Sequence, residues 1–171
     1  WLYKNCVNKI DMMENLSSDL RQFLKENSII NTLELSKKVV FDNTTKFLFK
    51  TKDNQFIETV SMIENDKHTI CLSSQVGCSV DCDFCATGKM GFKSSLSAGE
   101  ILDQLIYIKK NMKQPITNIV FMGMGEPFLN YKNVIKSADI MNDSLGLNFG
   151  SNRITISTAG ILPKINQFIN D

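Results

Sequence analysis

The sequence predicts an α/β fold in its second part, because strand-like and helix-like runs alternate there. From about residue 66 onward the runs follow the order strand, helix, strand, helix, strand: HTICLSS, SAGEILDQLIYIKKNM, ITNIVFMG, YKNVIKSADIMND and RITIST. Such alternation is typical of a parallel sheet whose strands are joined by helices. The apolar run IVFM adds support, since a strand covered by helices on both sides is apolar on both faces. We expect a βαβαβ series in residues 66–171, with Phe121, Met122 and Met124 in its core.

Residues 1–65 show a different pattern, which predicts a small accessory region of mixed α and β structure. Apolar residues recur at helical spacing in NLSSDLRQFLKEN, so we expect an amphipathic helix capped by Ser17 or Ser18. Two strand-like runs, TKFLFKT and QFIETVSMI, follow and are separated by the turn sequence KDN. This arrangement predicts a β-hairpin.

The composition is that of a globular protein with one domain and a small appendage. The chain has 171 residues, of which 43% are hydrophobic and 22% charged. No run of about 18 apolar residues occurs, and the first residues lack the apolar segment of a secretion signal. We therefore expect a cytoplasmic protein with no membrane contact. The 19 basic and 18 acidic residues nearly balance, so charge alone neither indicates nor excludes RNA binding.

Four of the five cysteines lie within the stretch CLSSQVGCSVDCDFC. In a reducing compartment, clustered thiols indicate metal or redox chemistry rather than structural disulfides. Cys78, Cys82 and Cys85 have the spacing C-x3-C-x2-C directly after a predicted strand, and three thiolates can hold three irons of a four-iron cluster. Zinc is the main alternative, but its tetrahedral sites use four Cys or His ligands, and Cys71 or His68 would be an ill-spaced fourth. The spacing favours an iron–sulfur cluster over zinc, and zinc over unligated thiols.

The cysteine triad and its surroundings resemble the radical S-adenosylmethionine superfamily, and within it the bacterial dual-specificity 23S rRNA and tRNA adenine carbon-2 methyltransferases. The matching motifs are, in chain order, WLYKN, ETV, CLSSQVGC, FCATG, ITNIVFMGMGEP and RITISTAG. The resemblance implies a partial (βα) TIM-like barrel of the radical SAM type in residues 66–171, preceded by the accessory region in residues 1–65. Members of that family are about twice this length. We therefore expect the chain to be an internal fragment that contains the first half of the barrel.

The resemblance also implies two cofactors and the residues that hold them. The three spaced cysteines would bind a [4Fe–4S] cluster, whose open iron takes S-adenosyl-L-methionine. Gly125 and Glu126 would contact the amino group of S-adenosylmethionine, and Ser157 would help to hold its other end. These residue types suit the roles, because a glycine permits close approach of the backbone to a ligand and a carboxylate pairs with an ammonium group.

Two further residues match catalytic positions of the family. Glu58 matches its proton acceptor. Cys71 matches a thiol that forms a transient disulfide with a second catalytic cysteine, and no cysteine follows Cys85 in this sequence. Without the resemblance, Glu58 would be interpreted as an exposed strand carboxylate and Cys71 as an inert buried thiol.

The activity implied by the resemblance is methylation of carbon 2 of an adenine in 23S rRNA and in tRNA. A methyl group would first be placed on the second cysteine and then moved to the adenine by radical chemistry, because this electrophilic carbon offers no nucleophile to a sulfonium methyl group. The implied partners are both RNAs and a flavodoxin-type electron donor, and we expect a monomer. Two alternatives stay open: methylation of carbon 8 of the same adenine, against which Pro127 argues, and a non-catalytic, metal-stabilised RNA-binding module.

Overall fold

A computed structural model describes residues 2–171 of the chain. The strands among these residues are β1 (Glu34–Phe41), β2 (Thr44–Lys50), β3 (Phe56–Glu64), β4 (Lys67–Cys71), β5 (Gln75–Val76), β6 (Ser94–Ser95), β7 (Asn118–Phe121) and β8 (Ile154–Ile156). The α-helices are α1 (Ser18–Asn27), α2 (Ala86–Lys89), α3 (Ala98–Asn111), α4 (Tyr131–Asn142) and α5 (Leu162–Asn170). Six of the strands form one sheet in the order β1-β2-β3-β4-β7-β8, and β5 pairs with β6 separately.

The predicted βαβαβ series is confirmed. Strands β4, β7 and β8 are parallel neighbours, with Ile70 beside Ile119 and Ile119 beside Ile154, and helices α3 and α4 connect them. Helix α3 begins with the capping box expected from its sequence: the Glu100 N–H donates to Ser97 Oγ at 3.2 Å and the Ser97 N–H donates to Glu100 Oε2 at 2.9 Å. These contacts satisfy backbone donors that the first turn of a helix leaves free.

The accessory strands continue the same sheet in antiparallel fashion. The predicted hairpin is confirmed as β2 and β3, and β3 pairs with β4 so that Val60 lies opposite Cys71. The sheet therefore runs across the boundary that we expect near residue 65, and that boundary stays a prediction. Strand β1, which the sequence pattern did not predict, is mostly exposed at the sheet edge and lacks the alternation of a half-buried strand.

The core lies between one face of the sheet and helices α3 and α4. The fully buried residues there include Ile70, Leu72, Ile101, Leu102, Leu105, Ile108, Ile119, Phe121, Val134 and Met141. Side chains alternate along a strand, so Val120 and Met122 lie on the opposite face, which we call the inner face. Met122 is 56% exposed, whereas Phe121 and Met124 are buried. The expectation of a strand buried on both faces is therefore wrong for Met122, because the connecting helices pack on the other side.

Helix α1 forms where the sequence predicts it, with Ser17 as its cap: Ser17 Oγ accepts the Leu20 N–H at 3.3 Å. None of its residues is buried, and Phe23 is 58% exposed. The apolar spacing thus predicted the helix correctly but not its burial. None of the described helices is long and apolar enough to span a membrane.

Candidate functional site

The three spaced cysteines lie in the loop that follows strand β5. The short pair β5 and β6 joins the two ends of this loop, and α2 begins directly after Cys85. At the start of the loop Gly77 has a φ of +72°, and a Cβ atom built there would lie 1.8 Å from the carbonyl oxygen of Gly91. Only glycine fits this position, so the tight return of the loop depends on it. Cys78 is buried, and Cys82 and Cys85 are partly exposed.

The donor chemistry of this loop suits an iron–sulfur cluster. All five cysteines of the chain are free thiols. The pKa of Cys85 is lowered mainly by the backbone N–H of Gly88 and further by Thr87, against a smaller opposing effect of burial. N–H donors to sulfur favour the thiolate, which is the form that ligates metals. The described residues contain no His, Cys, Asp or Glu side chains already gathered in threes around a metal position. The loop therefore supplies three suitable donors. Cys71 is also a free thiol, so the structure gives no support to the transient disulfide expected at that residue.

Glu126 is a buried carboxylate at the carboxyl end of strand β7, and its side chain accepts three hydrogen bonds. Its Oε1 accepts the Phe128 N–H at 2.9 Å and the Thr158 hydroxyl at 2.7 Å. Among residues 2–171, its Oε2 accepts only the Ala159 N–H, at 2.7 Å. The residue is 4% exposed, and neither of the ion pairs in the described part of the chain includes it. A buried anion without a cation is costly, and a carboxylate oxygen can accept more than one bond. This site can therefore take a ligand ammonium group.

Gly125 and Gln75 connect the segment between β7 and Pro127 (residues 122–126), which we call the Glu126 turn, to the segment between β5 and β6 (residues 77–93), which we call the cysteine loop. The Glu126 N–H donates to Gln75 Oε1 at 3.0 Å, and Gln75 lies at the start of the loop that carries the three cysteines. Gly125 has a φ of +96°, and a Cβ atom there would lie 2.5 Å from the Cβ of Gln75. Packing against Gln75 therefore already requires glycine at this position, whether or not a ligand approaches the backbone.

Ser157 lies at the carboxyl end of strand β8, next to this turn. It is exposed, and its backbone N–H donates to the carbonyl of Phe121 at 3.4 Å, which extends the pairing of β7 with β8. The next residue, Thr158, bonds to Glu126. The structure therefore brings Ser157 and Glu126 to adjacent strand ends. Ligands of parallel α/β sheets bind at this edge.

Glu58 and Cys71 share the inner face of the sheet. Cys71 lies opposite Val60, and Glu58 is two residues from Val60 on the same strand, so both side chains point to one side. Burial raises the pKa of the Cys71 thiol, and a hydrogen bond from the backbone of Met122 offsets part of this effect. The net effect raises the pKa of Cys71 and disfavours its thiolate form.

The Glu58 carboxylate forms a cross-strand ion pair with Lys46, at 3.1 Å, and both side chains are about half exposed. The pair lines a cavity of about 310 Å³ whose other walls include Thr87 and Met90, which follow Cys85 within the cysteine loop. Glu58 thus faces the segment that follows Cys85. Sequence reasoning missed Lys46, Gln75 and Thr158. Only Gln75 left a signal, as a polar residue in the run SSQ directly after a strand.

Comparison with known proteins agrees with this geometry. The family model of the Radical SAM superfamily matches residues 72–170, a range that includes the cysteine loop, Glu126 and Ser157 and begins just after Cys71. A solved structure, the "Crystal Structure of a radical SAM methyltransferase from Sphaerobacter thermophilus", superposes with a TM-score of 0.92 at 40% identity and covers 100% of this chain and 52% of that one. The predicted partial (βα) barrel of the radical SAM type is confirmed by this likeness.

Curated relatives carry the name "Probable dual-specificity RNA methyltransferase RlmN". The protein of that name from Aquifex aeolicus is 44% identical over 100% of this chain and 49% of its own length. The one from Fervidobacterium nodosum is 47% identical over 100% of this chain and 50% of its own length. The chain thus spans about half the length of the curated relatives that it matches. Because the superfamily match covers more than half of the chain and includes the three spaced cysteines, the chain belongs to the radical SAM superfamily.

Proposed function

We propose that this chain provides the cluster loop and the S-adenosylmethionine amino site of an RNA methyltransferase that acts on carbon 2 of an adenine in 23S rRNA and in tRNA. One observation carries the proposal: Glu126 has a buried carboxylate that no cation among the described residues pairs with, and its backbone N–H donates to Gln75 at the start of the loop of spaced cysteines. The names of relatives that are 44% and 47% identical support RNA as the substrate. The residues matching the family motifs support adenine carbon 2.

Cys78, Cys82 and Cys85 would hold a [4Fe–4S] cluster. When bound, such a cluster supplies the electron for reductive cleavage of S-adenosylmethionine. Three thiolates would leave one iron of such a cluster for a ligand from outside the chain. The backbone N–H of Gly88 lowers the pKa of Cys85, and the thiolate is the form that binds metal.

Glu126 would bind the ammonium group of S-adenosylmethionine in a fixed orientation. Phe128, Thr158 and Ala159 each donate a hydrogen bond to its carboxylate, which leaves the side chain little freedom to rotate. A preorganised carboxylate loses less entropy when it binds its ligand. Ser157, at the neighbouring strand end, would hold the other end of the same molecule.

Glu58 and Cys71 would take part in the reaction on the RNA. Glu58 would accept a proton from its position on the inner face, where Lys46 holds its carboxylate. Cys71 would form a transient disulfide with a second catalytic cysteine. The resemblance implies that this partner lies in the C-terminal part of the family's enzymes. Cys6 does not match it and is buried, with its thiol donating to the Tyr3 carbonyl.

The proposal includes the cellular setting. The substrates would be 23S rRNA and tRNA, a flavodoxin-type protein would donate the electron, and the protein would act as a monomer in the cytoplasm. Five free thiols suit a reducing compartment.

The proposal is tested by anaerobic reconstitution of the chain with iron and sulfide, followed by metal analysis and incubation with dithionite and S-adenosylmethionine. We expect about four irons and four sulfides per chain and formation of 5′-deoxyadenosine. Cys82→Ala should lose both, because two thiolates do not retain the cluster, whereas the control Cys6→Ala should lose neither. A single zinc without iron would support the non-catalytic module instead. In a chain extended to the length of the relatives, mapping of the methylated adenine separates carbon 2 from carbon 8.

A further inference from the structure

Three consecutive polar residues after strand β4 are almost completely buried. Ser73, Ser74 and Gln75 are 0%, 1% and 1% exposed. Buried polar groups need hydrogen-bond partners, and among the described residues no buried side-chain nitrogen or oxygen lacks one. The hydrogen-bond partners of these three residues therefore indicate their structural role.

The hydroxyl of Ser73 joins two other elements of the proposed site. It donates to the backbone carbonyl of Glu58 at 2.5 Å and accepts the backbone N–H of Met124 at 2.9 Å. The Glu58 N–H also donates to Met124 Sδ at 3.3 Å. Strand β3 is therefore connected to the turn that contains Glu126 in two ways, directly and through the Ser73 hydroxyl. One side chain thus links the strand of the proposed proton acceptor to the turn of the proposed cofactor ligand.

Gln104, on helix α3, holds Ser73 in place. It is 0% exposed, and its Oε1 accepts the Ser73 N–H at 2.9 Å and the Thr59 hydroxyl at 2.7 Å. Its Nε2 donates to the Ser73 carbonyl at 3.0 Å and more weakly to the Glu100 carbonyl at 3.4 Å. All the hydrogen bonds that this amide can make are used. A saturated buried network favours a single arrangement, since any rotation of the amide leaves a polar group without a partner.

We propose that Ser73 and Gln104 are positioning residues that hold Glu58, the start of the cysteine loop and the Glu126 turn as one unit. Neither residue is among those proposed to hold the cluster or S-adenosylmethionine. Ser73 acts through Glu58 and Met124, and Gln104 acts through Ser73. This inference rests on the proposed function, and its test separates the failure of one from the failure of the other.

The test compares Ser73→Ala with a matched control, Ser137→Ala. Both serines are 0% exposed, but in the part of the chain that the structure describes the Ser137 hydroxyl bonds only to the Val134 carbonyl within helix α4. Each variant loses one buried hydroxyl, but only Ser73→Ala leaves the Met124 N–H of another element without its acceptor, so we expect the thermal midpoint to fall further in Ser73→Ala. In the reconstituted chain only Ser73→Ala should weaken S-adenosylmethionine binding, by about tenfold, since a lost hydrogen bond of this class shifts an equilibrium by roughly that factor.

Gln104→Met provides the sharper test, because this side chain does not contact Met124. Hydrogen exchange of the Met124 amide should become at least tenfold faster in Gln104→Met as well as in Ser73→Ala, and it should stay unchanged in Ser137→Ala. The double variant Ser73→Ala/Gln104→Met should weaken binding by less than the product of the single effects, as expected for residues that act as a unit.

The outcomes distinguish the two hypotheses. If the unsubstituted chain binds no S-adenosylmethionine, the proposed function fails, and the positioning role is then decided by exchange at Met124 alone. Unchanged Met124 exchange in Gln104→Met would refute that role. The same conclusion follows if Ser73→Ala binds S-adenosylmethionine as tightly as Ser137→Ala does.

Discussion

Replacing Glu126 with glutamine removes a negative charge at a position that is only 4% exposed, with almost no change in side-chain shape. Glutamine keeps an oxygen that can accept the Phe128 N–H and the Thr158 hydroxyl. Its amide nitrogen, however, would replace Oε2 and face the Ala159 N–H, so that two donors meet. The substitution therefore has two separable effects, one on the ligand and one on the fold.

The loss of charge determines the effect on the ligand. A hydrogen bond between charged groups contributes roughly 1.5 to 3 kcal/mol, so Glu126→Gln should weaken S-adenosylmethionine binding roughly ten- to hundredfold. The opposed donors should lower the free energy of unfolding by about 1 to 3 kcal/mol. The iron content should not change, because Glu126 is not one of the three proposed cluster ligands.

Calorimetry of the reconstituted chain with S-adenosylmethionine measures the first effect, and urea unfolding measures the second. Thr158→Val is the matched control: it also removes one bond to the buried carboxylate but keeps the charge, so it should destabilise the fold while affinity falls by less than tenfold. Equal affinities of Glu126→Gln and the unsubstituted chain would refute the assignment of this carboxylate to the ammonium group. A loss of iron in Glu126→Gln would show that the turn supports the cluster loop instead.

Two further predictions concern Gly125 and Cys71. Gly125→Ala should lower the free energy of unfolding, measured by urea titration, by at least about 2 kcal/mol. The backbone there has a φ of +96°, and the new methyl group would lie 2.5 Å from Gln75 Cβ. A urea midpoint equal to that of the unsubstituted chain would contradict this account. Alkylation of Cys71, followed by peptide mass spectrometry across a pH series, should have its midpoint at a higher pH than in an unfolded peptide of the same sequence. Burial raises the pKa of this thiol, so the reactive thiolate forms later as pH increases. A midpoint below that of the peptide would contradict this account.

The sequence by itself determined the features that depend on neighbours along the chain. The C-x3-C-x2-C spacing places three thiols in one loop wherever that loop lies. The capping box of Ser97 and Glu100 and the turn between β2 and β3 likewise involve residues a few positions apart. The alternation of strands and helices predicted the parallel unit of β4, β7 and β8, because short connecting helices leave few other arrangements.

Only the tertiary structure decided which distant groups meet. Glu126 bonds to Thr158, the Ser73 hydroxyl lies between Glu58 and Met124, and each of these contacts requires strands that are adjacent in space but far apart in sequence. Alternation along a strand shows which side chains share a face, but not which face the helices cover. Met122 was therefore expected in the core and is exposed. Hydrogen bonds between separate strand ends depend on strand order and register, and these are set by packing of the whole sheet rather than by any local run of residues.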